Sequence, residues 1–253
     1  MESVFYSIKN LLDSRMYLKA REELEKINAV QLSFAERAEY ELLMGVALFE
    51  TATICEAINR FEKCIRIAKE HCPEFNLFTP YYELSISYFS IYNEGQNPTD
   101  LDKSVDYCKL ALDVAVNNSL VQRTSGCMVY VEESPETFIN GLIHLGVLNQ
   151  SKNRLKESIR ILLVSKTICQ HFSRFDLLGQ VYDELGTSYA LSGQLELAGY
   201  YFVKSVKAKE IIHNIKGIEI TIQKHIIFSL RNPQMMFSKE ASRLHSLILE
   251  ERI

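Results

Sequence analysis

The sequence predicts an all-α chain of about six stacked antiparallel helix pairs, and three observations carry that expectation. Glycine and proline are scarce, at 10 and 5 of 253 residues, whereas all-β folds need frequent turns. Two segments align without a gap and share small and aromatic residues at helical spacing. Helix-start signals fall where that alignment puts helix starts.

The two segments are Tyr40–Lys69 and Val181–Glu210. In the first, Gly45 is followed at offsets of 12, 16 and 19 residues by Ala57, Phe61 and Cys64. In the second, Gly186 is followed at the same offsets by Ala198, Phe202 and Ser205. Met44 and Leu185 precede the glycines, and Leu48 and Tyr189 follow three residues later. A glycine in one helix permits close approach of a second, and the alanine and aromatic lie on one face of that second helix. The pattern therefore describes a helical hairpin with a tight seam.

LG-x2-Y followed by A-x3-F resembles the tetratricopeptide (TPR) signature. The resemblance implies a TPR-like α-solenoid, a right-handed superhelix of stacked helix pairs, spanning residues 1–253 as a single domain. Two departures are visible. Glu41 and Tyr182 stand where the family often has tryptophan, and the proline that often closes a repeat is missing.

Weaker copies fill the chain in order. Ile8 leads to Ala20, Leu24 and Ile27, and Gly146 leads to Ser158, Leu162 and Ser165. A further copy starts at Tyr82 with Ser85 and Tyr88, and its second helix, with Ser104, Cys108 and Ala111, arrives seven residues late. The turn-rich stretch Asn93–Asp100 accounts for the delay as an insertion. Ser33 with Glu36 and Thr53 with Glu56 read as capping boxes. Thr79-Pro80 and Ser134-Pro135 place a cap before a first-turn proline. Two last helices are expected, at about Ile215–Leu230 and about Ser238–Glu250, separated by Asn232-Pro233.

The anchors Ile8, Gly45, Ser85, Gly146 and Gly186 are spaced 37, 40, 61 and 40 residues apart. The gap of 61 marks an irregular linker at about 117–134. Within it Met128–Val131 fits either a short strand or an ordered loop.

The formal net charge of −4 carries no basic excess, so no direct nucleic-acid binding is expected. No run is long and apolar enough to span a membrane, and no secretory leader pattern opens the chain, which predicts a cytoplasmic protein. The six cysteines form no CxxC pair and read as reduced thiols, with Cys64 and Cys108 in small-residue seam positions. His71 with Cys72, or Cys169 with His171, lacks the second ligand pair a metal site needs. No phosphate loop, nucleophile elbow or HExxH motif is present. The expectation is thus no enzyme, no metal and no cofactor.

Binding is the better-supported expectation. TPR arrays use the concave face lined by the first helix of each pair. The lining positions lie six and three residues before each anchor and one and four after it. From these the candidate peptide-binding residues are Glu39, Tyr82, Ile86, Phe89, Asn140, Val147, Gln150, Gln180, Asp183 and Thr187. The amides can pair with an extended peptide backbone, the rings can hold apolar side chains, and Glu39 and Asp183 favour a basic group or an N-terminal amine. The set lacks the Lys and Arg of a carboxylate clamp. The expected partner is a protein or peptide ligand. A homodimer through C-terminal apolar residues (Ile226, Ile227, Phe228, Met235, Met236 and Phe237) is a further possibility.

Long repeats of about 40 residues, and the stretch Phe175–Gly193, also resemble the sensor part of bacterial intracellular peptide-pheromone receptors of the Rap and PlcR group. That resemblance implies an alternative to a general scaffold, a sensor of a short signalling peptide. Repeats begin close to Met1, so no N-terminal effector part is expected.

Overall fold

The computed structural model describes the backbone of residues 2–51, 54–117, 121–124, 127–130 and 135–231, and the side chains of 5–51, 54–116 and 135–231. The chain forms two compact units, Met1–Val131 and Glu132–Ile253.

The first unit holds α1 (Glu2–Asp13), α2 (Tyr17–Glu25), α3 (Phe34–Thr51), α4 (Ile54–His71), α5 (Phe78–Gly95) and α6 (Pro98–Asn117). It ends in an antiparallel hairpin of β1 (Val121–Thr124) and β2 (Cys127–Tyr130), with Val121 opposite Tyr130. Part of the expected irregular linker is therefore regular. The second unit holds α7 (Pro135–Ser151), α8 (Leu155–His171), α9 (Phe175–Leu191), α10 (Leu195–Ile211) and α11 (Ile215–Arg231). Within each unit helices pair as α1–α2, α3–α4, α5–α6, α7–α8 and α9–α10. First helices of successive pairs also touch, α1 with α3, α3 with α5, α7 with α9 and α9 with α11. This is a TPR-like fold of stacked helix pairs.

The seams match the expected spacing. A Cβ on Gly45 would clash with the Phe61 ring, one on Gly186 would lie 2.8 Å from Phe202, and one on Gly146 would lie 2.8 Å from Leu162. Ala57, Phe61, Cys64, Ala198, Phe202 and Ser205 are all fully buried. The Ser85 copy closes differently. The Ser85 hydroxyl donates to the Ser104 carbonyl at 2.7 Å, and the Ser104 hydroxyl donates to the Ser85 carbonyl at 2.7 Å. Two short polar side chains thus allow the close approach that glycine gives elsewhere, and both satisfy their buried hydroxyls.

Glu41 and Tyr182, at the family's tryptophan position, are packed in different ways. Glu41 is 1% exposed and accepts from Arg60 Nη1 at 2.9 Å and from Lys63 Nζ. Tyr182 packs on Tyr201, ring centres 5.9 Å apart. Arg60 and Tyr201 occupy the same offset from their anchors, so an ion pair in one copy replaces a ring contact in the other.

The second unit is regular in a way the sequence barely signals. Among the described residues its helices are 17 residues long and separated by three-residue turns. The middle residues Asn153, Ser173, Gly193 and His213 have φ of 55, 53, 79 and 53°. Each following amide bonds back five residues, as Arg154 N does to Asn149 O at 2.8 Å and Gln194 N to Tyr189 O at 2.9 Å. These are Schellman closures, which satisfy the last carbonyls of a helix through one left-handed residue.

Two helix-start expectations are corrected or refined. α5 begins before Thr79: Asn76 Oδ1 accepts from the Phe78 amide at 2.9 Å, and Pro80 sits in the first turn. The Asn93–Asp100 insertion is mostly helix. α5 runs to Gly95 and α6 starts at Pro98, joined through Gln96 at φ 54°. The extra residues lengthen two helices rather than a loop. The Ser33–Glu36 capping box forms, with Ser33 N donating to Glu36 at 2.9 Å. Thr53, Ser134, the Cys127 side chain and everything after Arg231, including the expected helix at about Ser238–Glu250 and the apolar Met235–Phe237, lie outside the described residues.

Candidate functional site

In the first unit, the candidate face is made by α3 and α5. Tyr82, Ile86 and Phe89 lie along α5 and are half-buried. Their spacing of three or four residues puts them on one stripe of the helix. Tyr82 stacks on Phe78 with ring centres 5.7 Å apart, and burial pushes its hydroxyl well above the usual tyrosine range. Phe89 stacks on Tyr92 at 6.1 Å. Glu39 on α3 is half-buried and reaches Lys9 of α1 at 2.5 Å. Its charge is therefore shared with a neighbouring cation, in an exposed pair of small energetic weight.

Sequence reasoning passed over Glu83, one residue from Tyr82. Among the described residues neither a hydrogen bond nor an ion pair reaches its carboxylate. Burial first, and the nearby Glu50 of α3 second, push this carboxyl up to about 7. Removing a carboxylate from water disfavours its charged form, and a second negative charge adds to the effect. Glu83 lies two residues before the anchor Ser85, just beside the stripe that the four-position rule selects.

In the second unit, Gln180 is exposed, and Asn140, Val147, Gln150 and Thr187 are half-buried. Gln150 of α7 spans to α9. Its Nε2 lies within hydrogen-bond distance of the Glu184 carbonyl at 3.0 Å, the Glu184 carboxylate at 3.2 Å and Ser188 Oγ at 2.9 Å. Glu184 in turn accepts from Lys224 Nζ of α11 at 2.7 Å. Burial lowers the Lys224 ammonium, but Glu184 and Asp183 more than offset this, and its pKa ends above the ordinary lysine value. Thr187 donates to the Asp183 carbonyl at 2.9 Å within its own helix.

Asp183 is not available in the manner expected of it. It is 5% exposed and ion-paired with Lys209 of α10, itself 4% exposed. Thr221 of α11 donates to Asp183 Oδ1 at 2.8 Å, while Lys209 donates to Thr221 Oγ1 at 2.7 Å and to the Gly217 carbonyl at 3.1 Å. The lysine stem passes over Gly179, where a Cβ would lie 2.9 Å from Lys209 Cγ. The acid expected to take a ligand amine takes an internal one, because a lysine 26 residues later reaches it through the gap that Gly179 leaves. In the aligned first copy, Ala68 stands where Lys209 stands.

Elsewhere the described residues offer less chemistry. Burial pushes the thiols of Cys64, Cys108 and Cys169 up to about 12, so they stay protonated and unreactive. A cleft of about 370 Å³ between α2, α3 and α4 is lined by Arg21, Glu25, Tyr40 and Arg60, but Arg21 is held by Glu25 at 2.8 Å and Arg60 by Glu41. No described group of three His, Cys, Asp or Glu side chains could hold a metal ion. None of the described helices is long and apolar enough to cross a membrane.

No family model matches the chain, and no curated protein sequence matches it. Solved structures do. The apo form of the quorum sensor NprR from B. thuringiensis superposes with a TM-score of 0.68 at 17% identity, covering 96% of this chain and 62% of that one. NprR in complex with its cognate peptide NprX gives 0.63 at 16% identity, over 96% and 64%. BtubC (BKLC) from P. vanneervenii gives 0.67 at 13% identity, over 97% and 91%. The chain thus spans under two thirds of NprR and most of BtubC. At these identities the likeness is one of fold, and the chain has the fold of proteins built from TPR-like repeats, such as the repeats of a Podosopora anserina kinesin light chain, which superpose with a TM-score of 0.62 at 14% identity over 84% of this chain and 95% of that one.

Proposed function

We propose that the chain is a non-catalytic TPR-type scaffold that holds an extended segment of a partner protein or peptide along its first-helix faces. The carrying observation is the α5 stripe of Tyr82, Ile86 and Phe89, half-buried apolar groups on a first helix. Such side chains make shallow sockets for the apolar side chains of an extended segment. The peptide-bound neighbour supports the reading by analogy of fold.

The narrower alternative is a sensor that responds to a short peptide by changing the angle between neighbouring helices. In the second unit that change has to break the Gln150–Glu184–Lys224 bridges across α7, α9 and α11. Those bridges favour a rigid scaffold over a bending sensor.

A photo-crosslinking amino acid, benzoylphenylalanine, placed at Ile86 tests the proposal against the same group at Leu110. Leu110 is 42% exposed on the second helix α6. In an extract of the source cells, a discrete peptide-bearing adduct at position 86 and none at 110 is expected. Equal labelling at both positions, or labelling at 110 alone, overturns the assignment of the face.

A further inference from the structure

The cleft of about 370 Å³ in the first unit is walled by the second helices α2 and α4, with α3 between them, and none of its residues belongs to the α5 stripe. Its size is that of a small-ligand site. The deepest lining is apolar, since Met44 and Leu48 are 3% and 5% exposed. Tyr40 lines the same depth at 8% exposure, and its hydroxyl makes no hydrogen bond among the described residues. Burial pushes that hydroxyl above the ordinary tyrosine range against the pull of the nearby Arg60 charge, so it stays protonated and can donate. A buried donor with no acceptor is costly to the fold and is relieved by a ligand that accepts from it.

Two guanidinium groups share the cleft, each held through one nitrogen. Arg60 gives Nη1 to Glu41 at 2.9 Å, and Arg21 gives Nε to Glu25 at 2.8 Å. Glu41 is buried and also bound by Lys63, so it fixes Arg60 in place while the other nitrogens of that guanidinium stay unengaged among the described residues. The Arg21–Glu25 pair is exposed and of small weight, and Arg21 exchanges it readily. The repeat itself does not call for these residues. Arg21 lies 13 residues after the anchor Ile8, and Tyr40 and Arg60 lie 5 before and 15 after Gly45. At the α8–α9–α10 junction the same offsets hold Ile159, Val181 and Tyr201, of which Val181 and Tyr201 are buried. Packing fills that junction, whereas the α2–α3–α4 junction carries three donors over an apolar bed.

Donors over an apolar bed suit an anion joined to an apolar body. The exposed Glu25 and Glu56 also line the cleft, and their charge disfavours a dianion such as phosphate. We propose that this cleft is a binding site separate from the first-helix face and takes a monocarboxylate on a short apolar body. Arg60, Arg21 and Tyr40 hold the carboxylate, and Met44 and Leu48 pack under the apolar part. A free acid and the C-terminal residue of a peptide share that chemistry.

The test is a titration of the full chain, followed through the methyl resonance of Met44 in protein labelled at the methionine methyls. The probes are isocaproate, its neutral amide, and acetyl-glycyl-leucine with a free carboxylate. A saturable shift of the Met44 methyl is expected with both acids, and binding about tenfold weaker with the amide, the loss expected of one hydrogen bond to a charged group. Tyr40→Phe removes only a hydroxyl that bonds to nothing in the fold, so it should leave the melting temperature unlowered and weaken both acids by about the same factor. Arg21→Gln, on an exposed pair, should also weaken them. Tighter binding of isocaproate assigns the site to free acids, and tighter binding of acetyl-glycyl-leucine assigns it to chain ends. An amide that binds as well as the acid overturns the inference. So does acid binding that survives both substitutions unchanged, or a Met44 methyl that neither acid shifts. None of these outcomes bears on the first-helix face.

Discussion

Lys209 and Asp183 form an ion pair buried between α9, α10 and α11, with Thr221 and the Gly217 carbonyl completing the shell around the ammonium. The second unit thus locks three helices together through one side chain. Removing one partner of a buried pair leaves the other charge unpaired, at a cost of roughly 3–5 kcal/mol. Lys209→Met should lower the urea-unfolding free energy by about that amount. Adding Asp183→Leu should recover a large part of it. Equal losses in the single and double variants would show that the pair contributes packing rather than charge compensation.

The seam glycines predict a different failure. Gly186→Ala puts a methyl 2.8 Å from the Phe202 ring, and such overpacking costs roughly 1–3 kcal/mol. Phe202→Ala opens a cavity, worth roughly 3–5 kcal/mol. In the double variant the methyl occupies part of that cavity, so the two losses should fall short of additive. Additive losses in denaturant melts would mean that glycine and ring do not meet.

The turns of the second unit can be improved. Ser173 and His213 hold left-handed backbone at φ 53° with exposed side chains, a conformation that costs a non-glycine residue about 1 kcal/mol. Ser173→Gly and His213→Gly should each raise stability by about 0.5 kcal/mol, after the greater backbone entropy of glycine in the unfolded chain is offset. Gly193→Ala, at φ 79°, should move in the opposite direction. Thermal melts of the three variants check both signs.

Glu83 makes stability depend on pH. Its carboxyl is raised from the ordinary 4.5 to about 7 by burial and by Glu50. Folding therefore favours the protonated form. The contribution is fully present below the unfolded value and is lost as pH rises toward the folded one. Glu83→Gln cannot ionise, so it should match the wild type near pH 4 and exceed it by on the order of 2 kcal/mol at pH 8. A variant less stable than the wild type at pH 8 would mean that the carboxylate has a stabilising partner.

The sequence exposes the parts of this fold that depend on local spacing. Gly45 with Phe61 and Gly186 with Phe202 fix the helix pairs, because a close seam needs a small residue and a filler at constant offset. The 20-residue rhythm of turns in the second unit was hidden, since only Gly193 announces its left-handed residue and Asn153, Ser173 and His213 adopt the same geometry without glycine. The spacing of Tyr82, Ile86 and Phe89 was enough to place them on one half-buried stripe of α5. Asp183 was misjudged because its partner lies far along the chain. The available clue was Gly179, a glycine inside a helix seven residues before the anchor and outside the repeat pattern, together with a lysine in the slot that Ala68 fills in the other copy. Glu83 was missed because four positions per helix describe too narrow a face, and the residues beside the stripe meet the preceding first helix.

Amide hydrogen exchange of the full chain, with and without a pool of random N-acetylated, C-amidated heptapeptides, tests the central claim most directly. Slower exchange in α3 and α5, with α4 and α6 unchanged, is the result expected for a segment held along the first-helix face. Slowing confined to α4 and α6, or no change in either pair, would contradict it.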